Sequence, residues 1–229
     1  MGSNFLGDVS ISRPRSSVIS ANELASREGV ALTKGLNFRD ERDRLSVFLV
    51  LERGEGFKDE WNPGTGVYIY EGHDSTTVES GKSVDQLLMY ENGRLTENGR
   101  FFKAAHAFKD GLRSDPTQVQ VYEKLDQGVW YDKGIFNLID AKQIDVDGKK
   151  ICKYYMTLAD AEFFAADDPD TIERMLSAKT KGEIWKHDNG RCVECRSETG
   201  LRFVPSPDGS KTELRCELHC GRMGRGLLD

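Results

Sequence analysis

Four of the chain's five cysteines stand in two tight clusters, Cys192-Val-Glu-Cys195 and Cys216-Glu-Leu-His219-Cys220, with twenty residues between them. Two thiols separated by two residues can bite one tetrahedral ion from a single turn, and a second pair on a later turn completes the shell. Zinc is the natural occupant of such a set. The second cluster reads as Cys-x2-His or as Cys-x3-Cys, so the fourth ligand is His219 or Cys220, and the spacing does not choose between them. Two disulfides are the competing reading. Neither a signal peptide nor a transmembrane apolar run points to an oxidising compartment, so the expected location is the cytoplasm, where thiols stay reduced.

The length of 229 residues suits one packed domain of about 150 residues with a small metal-stapled one beside it. With 31% charged against 38% hydrophobic residues the chain reads as soluble and globular, and Cys152, alone in a hydrophobic-polar alternation, reads as a small core residue. A net charge of −6 argues against indiscriminate binding to polyanions. Residues 179–229 hold ten Lys/Arg against eight Asp/Glu, so a nucleic-acid contact would need a local basic patch.

Four zones follow along the chain. Residues 1–35, with few large apolar side chains, read as an N-terminal arm. The stretch 36–162 is mostly strands: Leu45–Leu51 as a buried one, Val67–Tyr70 as an alternating one, then Val119–Glu123, Ile135–Ile139 and Ile151–Met156. A helix from Asn98 to Lys109 puts Phe101, Ala105 and Phe108 on one face, and the pairs Asn92-Gly93 and Asn98-Gly99 read as turn punctuation. Asp168-Pro169 caps a linking helix within 163–183 that buries Ile172, Met175 and Leu176, and 184–229 is the zinc module. The histidines offer no relay. His73 and Asp74 are adjacent and point apart if extended, His106 sits on a helix, and His187 is a solvated helix-end side chain.

The stretch from Ile184 through Trp185-Lys186-His187-Asp188-Asn189-Gly190-Arg191 to Cys195, with Gly200-Leu201-Arg202-Phe203 and Leu214-Arg215-Cys216, resembles the zinc-supported HNH endonucleases. In that family a treble-clef knuckle precedes a strand carrying an Asp-His pair, in which the His activates water beside a catalytic metal. Here that strand reads Leu201-Arg202-Phe203-Val204-Pro205-Ser206-Pro207-Asp208 and has no His. The resemblance thus implies a degenerate module that keeps its structural zinc and has lost its hydrolytic centre. No catalytic residue is assigned, and the chain leans away from being an enzyme. Its Arg191, Arg196, Arg202, Arg215, Arg222 and Arg225 remain as candidate contacts to the DNA backbone.

A second resemblance covers residues 37–160 in order. Asp85-Gln86-Leu87, the helix from Asn98, the strand Val119-Gln120-Val121-Tyr122 and the segment Trp130-Tyr131-Asp132-Lys133-Gly134-Ile135-Phe136 are similar to the SRA (YDG) domain. Tyr131-Asp132-Lys133-Gly134 is one residue longer than the family's signature. SRA domains are PUA-like barrels that flip a modified cytosine out of duplex DNA into a pocket. Matching the order of elements, Phe57 and Tyr70 fall where the two stacking rings belong. Asp59 and Glu60 fall where the base-reading carboxylate belongs, with Glu71 next on the Tyr strand and His73 beyond it as a phosphate contact. A carboxylate accepting from the cytosine amino group discriminates against thymine, which has no exocyclic donor.

Together these resemblances imply an α+β chain: a PUA/SRA-like β-barrel with flanking helices, then a small treble-clef zinc module. The implied function is recognition of 5-methyl- or 5-hydroxymethylcytosine in double-stranded DNA, in a prokaryotic or phage-related setting, with a homodimer acting on two strands. Two alternatives stand beside it: a modification-dependent HNH restriction endonuclease with an atypical active site, and an interaction module that recruits a separate nuclease.

Overall fold

A computed structural model describes residues 18–29, 31–41, 44–52, 59–72, 85–159 and 168–220. The chain opens with β1 (Val18–Ser20), α1 (Ala21–Glu28), β2 (Gly35–Glu41), β3 (Arg44–Glu52), β4 (Glu60–Asn62) and β5 (Val67–Glu71). Next come α2 (Glu97–Lys109), β6 (Thr117–Asp126), β7 (Val129–Val146) and β8 (Lys149–Leu158). After these lie α3 (Pro169–Met175), α4 (Ala178–His187), β9 (Leu201–Pro205), β10 (Thr212–Cys216) and the short α5 (Glu217–Cys220). The architecture is mixed α+β and is dominated by one sheet, in the order β2-β3-β6-β7-β8-β5-β4 with β1 paired to β7; β9 and β10 form a separate hairpin.

Hydrophobic patterning explains how the sheet is covered. In β3 the apolar run is continuous because both of its faces are buried, as in a strand covered from two sides. Val47, Leu49 and Leu51 enter the main core, while Phe48 enters a second cluster with Ile19, Leu24 and Tyr122. By contrast β8 alternates strictly, with Cys152, Tyr154, Met156 and Leu158 inward and Ile151, Lys153, Tyr155 and Thr157 less buried. The main core also takes Phe101, Ala104 and Ala105 from α2, and Phe38 from β2 and Trp61 from β4 pack against it. Both edges of the sheet therefore wrap round one core, as the wall of a barrel does.

The segment read as an arm is described from residue 18 onward, and there it is part of the fold. β1 pairs with β7, and α1 carries an N-cap Ser20, buries Leu24 and ends at Gly29 in the left-handed region. Few large side chains were needed, because the short strand, the Arg27–Asp132 ion pair and the hydrogen bond from the Tyr122 hydroxyl to Glu28 tie it down. Gly93 turns with φ +78°, as its sequence suggests, but Gly99 lies inside the first turn of α2. A Cβ at Gly99 would meet the Leu88 carbonyl oxygen at 1.8 Å, so this glycine serves close packing rather than a turn.

Two helices replace the single expected linking helix. Asp168 caps α3 with Pro169 in its first turn, as read, but a new N-cap at Ser177 restarts the chain as α4, which runs past residue 183. Ile172 is 42% exposed rather than buried, while Met175 and Leu176 pack against two different cores. The third core joins the two ends of the molecule: Leu125 and Tyr131 of the large sheet are buried with Cys192, Leu201, Phe203, Leu214 and Cys216. Among the described residues no helix is long and apolar enough to cross a membrane.

Candidate functional site

The cysteine clusters come together. A turn over Cys192–Cys195, the β9–β10 hairpin and the first turn of α5 place the ligand atoms of Cys192, Cys195, Cys216 and His219 all within 4.8 Å of one another. Cys195 Sγ lies 3.6 Å from Cys216 Sγ, and His219 Nδ1 lies 3.1 Å from Cys216 Sγ and 3.8 Å from Cys192 Sγ. A tetrahedral zinc with sulfur at about 2.3 Å spaces its ligand atoms about 3.8 Å apart, so the set fits that ion and is far too open for a disulfide. Burial alone would raise the Cys192 thiol, but backbone N–H groups of Cys195, Cys216 and Glu194 donate to it and lower it to about 6, towards the thiolate a metal needs.

The choice left open by spacing falls to His219. Cys220 turns away and donates to the Arg215 carbonyl at 3.5 Å, and burial pushes its thiol up to about 11. This corrects its place among the ligands: His219 and Cys220 both lie near the Cys216 face of a helical turn, and it is the bond of Cys220 to the Arg215 carbonyl that takes it out of the set.

The arginines divide. Arg202 is bound to Asp170 and, at 2.5 Å, to Glu173, whose other oxygen accepts the Phe203 N–H at 3.0 Å; it ties β9 to α3. Arg215 is buried between Glu213 at 2.6 Å and Glu194 at 2.9 Å. Neither presents a free guanidinium to a phosphate, which corrects the expectation for both. Arg191 is 51% exposed at its side chain beside Glu198, and Arg196 is exposed at φ +64°. Arg222 and Arg225 lie outside the described residues. His187 Nδ1 meets Asp188 at 2.6 Å, and Asp188 is committed to the Leu214 N–H at 2.7 Å. His106 stacks on Phe102 and meets the Ala141 carbonyl, a packing position.

Of the base-reading candidates, Phe57 and His73 lie outside the described residues. Asp59 sits just before β4, with one oxygen accepting the Glu71 N–H at 3.0 Å and the other accepting the Tyr68 hydroxyl at 3.2 Å. Burial raises its carboxyl above the ordinary value, against the pull of the Glu71 N–H, Lys133 and the Tyr68 hydroxyl. Glu60, its neighbour, is exposed on the edge strand opposite Ile69, and Glu71 is paired with Lys153 at 2.7 Å. Tyr70 is only 1% exposed, with its ring stacked on Tyr154 at 5.9 Å. The expected open stacking face is therefore core in this structure, because Tyr70 alternates inward with Tyr68.

Sequence reasoning passed over a buried polar cluster behind Asp59. Glu123 of β6 receives Lys133 of β7 at 2.6 Å and Lys181 of α4 at 2.5 Å, and all three are 1% exposed or less. Lys181 also donates to the Arg174 carbonyl at 3.1 Å, and burial brings its ammonium down to about 7 despite Glu123. Glu123 is held below the usual carboxylate range by the two lysines, which outweigh its burial. The sequence carried little signal of it, because Glu123 and Lys133 stand among other polar residues in β6 and β7 and only the fold buries them together.

No protein-family model and no curated protein matches the chain. Among solved structures it is similar to the SUVH5 SRA domain bound to fully hydroxymethylated CG DNA, at 16% identity and a TM-score of 0.44, over 64% of this chain and 89% of that one. It is also similar to the DNA modification-dependent restriction endonuclease AspBHI, at 18% identity and a TM-score of 0.40, over 60% of this chain and 37% of that one. A third likeness is to KRYPTONITE in complex with mCHH DNA, H3(1-15) peptide and SAH, at 13% identity and a TM-score of 0.42, over 67% of this chain and 33% of that one.

Proposed function

We propose that the chain binds duplex DNA carrying a modified cytosine, of the 5-methyl or 5-hydroxymethyl type, by flipping that base to the Asp59 end of the sheet. The observation that carries this reading is the Asp59 carboxyl: withdrawn from water, fixed at both oxygens by Glu71 and Tyr68, and raised in pKa. Each oxygen keeps a further site, so a protonated Asp59 can donate to cytosine N3 while accepting from its amino group. Phe57 and Tyr70 are the stacking partners in this proposal, and Tyr70 must be uncovered as the base enters.

Residues 36–162 would read the base, 163–183 would link, and 184–229 would carry a degenerate HNH module. Zinc held by Cys192, Cys195, Cys216 and His219 would be structural and would supply the folding energy of that module. Arg191 and Arg196 would meet phosphates, and a homodimer would address both strands. Placing 2-aminopurine opposite the modified cytosine tests the flip, since its fluorescence rises when its partner leaves the stack. The expected rise occurs with modified duplex, is kept in Asp59→Asn, whose amide donates and accepts as the protonated carboxyl does, and is lost in Asp59→Ala; no rise with the parent protein contradicts the proposal.

A second reading has one observation in its favour. His187 is 74% exposed at its side chain and is oriented by Asp188, which is how a general base is held. A modification-dependent nuclease would cut methylated plasmid with magnesium or manganese and lose that activity in His187→Ala. The absence of cutting excludes it.

A further inference from the structure

Resting on that reading of Asp59, we propose that Lys133 is a specificity-determining positioning residue, which acts on the base-reading carboxyl by its charge, from its seat against the Tyr68 ring, although it is buried out of reach of any base. The register of β6 on β7 steps from Val121↔Gly134 to Tyr122↔Asp132, so Lys133 is the unpaired residue of a β-bulge. A bulge re-aims a side chain, and this one is built for it. Gly134 adopts φ +95°, and Asp132 accepts its N–H at 2.9 Å while receiving Gln120 at 2.7 Å and Arg27 at 3.1 Å. Lys133 is the residue by which Tyr131-Asp132-Lys133-Gly134 exceeds the Tyr-Asp-Gly signature it resembles.

The bulged ammonium lies 4.6 Å from the centre of the Tyr68 ring, while the hydroxyl of that ring donates to Asp59. Burial, and then Asp59 itself, hold Tyr68 well above the ordinary phenol range, so it stays a donor. The charged and titratable groups facing Asp59 are Tyr68, Tyr70 and Glu71 from β5, Lys133 from β7 and Glu123 from β6. Lys153 of β8 bears on Glu71. Lys133 is the cation in this set that favours ionised Asp59, and Glu123 opposes it. Lys181 answers the same Glu123 carboxylate from α4 but does not touch Tyr68.

These contacts predict a pattern of opposite behaviour for two lysines on one carboxylate. In the full zinc-loaded chain, the Asp59 carboxyl is titrated by carbon-13 NMR, and binding of a duplex with one 5-methylcytosine is measured across the same pH range. Affinity should fall as pH rises through the Asp59 titration, because the ionised carboxylate cannot donate to N3. In Lys133→Met both midpoints should move up by about one pH unit, since a charge favouring ionisation is gone. In Lys133→Arg they should return to the parent value, and in Lys181→Met they should stay there even if stability changes. An unmoved Asp59 titration in Lys133→Met, or equal movement in both methionine variants, overturns the inference and leaves the base reading standing. A titration that moves while the binding profile does not contradicts the base reading itself.

Discussion

Asp59 is a carboxyl that the fold would hold more easily as an amide. Burial raises its pKa, so its contribution to stability is present while it is protonated and is lost as pH rises through its folded value. Asp59→Asn keeps an acceptor for the Glu71 N–H and a donor for the Tyr68 oxygen. At neutral pH it should unfold at the same or a higher temperature than the parent and keep its base preference while losing the pH dependence of binding, which thermal melts and duplex binding check together. Arg196 gives a second residue-scale test. Its left-handed backbone costs about 1 kcal/mol, similar to the entropy a glycine would add, so Arg196→Gly should be nearly neutral in stability. If Arg196 meets a phosphate, that variant should weaken all duplexes alike and reduce the slope of log affinity against log salt by about one. At this scale the sequence disclosed residue types but not directions. Arg202 and Arg215 look like Arg191 in the chain, and only the carboxylates of α3 and β10 brought against them show that they are structural.

Elements were legible where one periodicity ruled. The alternation in β8 and the capped start of α3 are both as read, since each depends on local patterning. α1 went unread because its stabilising partners are far along the chain: Arg27 bonds Asp132, and Glu28 bonds Tyr122. The break between α3 and α4 was missed because Ser177 is an unremarkable serine until its hydroxyl accepts the Thr180 N–H at 3.0 Å. α4 ends at His187, and in the turn that follows Gly190 has φ +63° and a Cβ there would sit 2.6 Å from the Trp185 ring. What fastens α4 to the large sheet is Lys181 on Glu123. Glu123→Gln would leave two buried ammonium groups without a carboxylate and should cost about 3–5 kcal/mol in urea unfolding. Lys181→Met, which leaves Glu123 with Lys133, should cost far less, because an apolar side chain of similar length suits the site. Equal losses in the two variants would show that the ion cluster does not bear the load.

Seen whole, the chain does not separate as its composition suggested. Leu125 and Tyr131 of the large sheet share a core with Cys192 and Cys216 of the Cys/His cluster, so the cluster and the sheet are packed against each other. Cys216→Ser should therefore lose the metal and lower the melting temperature of the entire chain, whereas Cys220→Ser should keep one zinc per molecule by elemental analysis. A barrel that melts unchanged in Cys216→Ser would restore the picture of two independent units. The cluster of Cys192, Cys195, Cys216 and His219 was legible because a metal site demands donors of a fixed kind at close spacing, while the packing between the module and the sheet left no mark in local sequence. The central claim concerns the Asp59 end of that sheet, and a binding panel of matched duplexes that differ only at C5 of one cytosine tests it most directly. The account predicts tighter binding to 5-methyl- or 5-hydroxymethylcytosine than to cytosine, with the difference abolished in Asp59→Ala. Equal affinity of the parent protein for all the duplexes would contradict it.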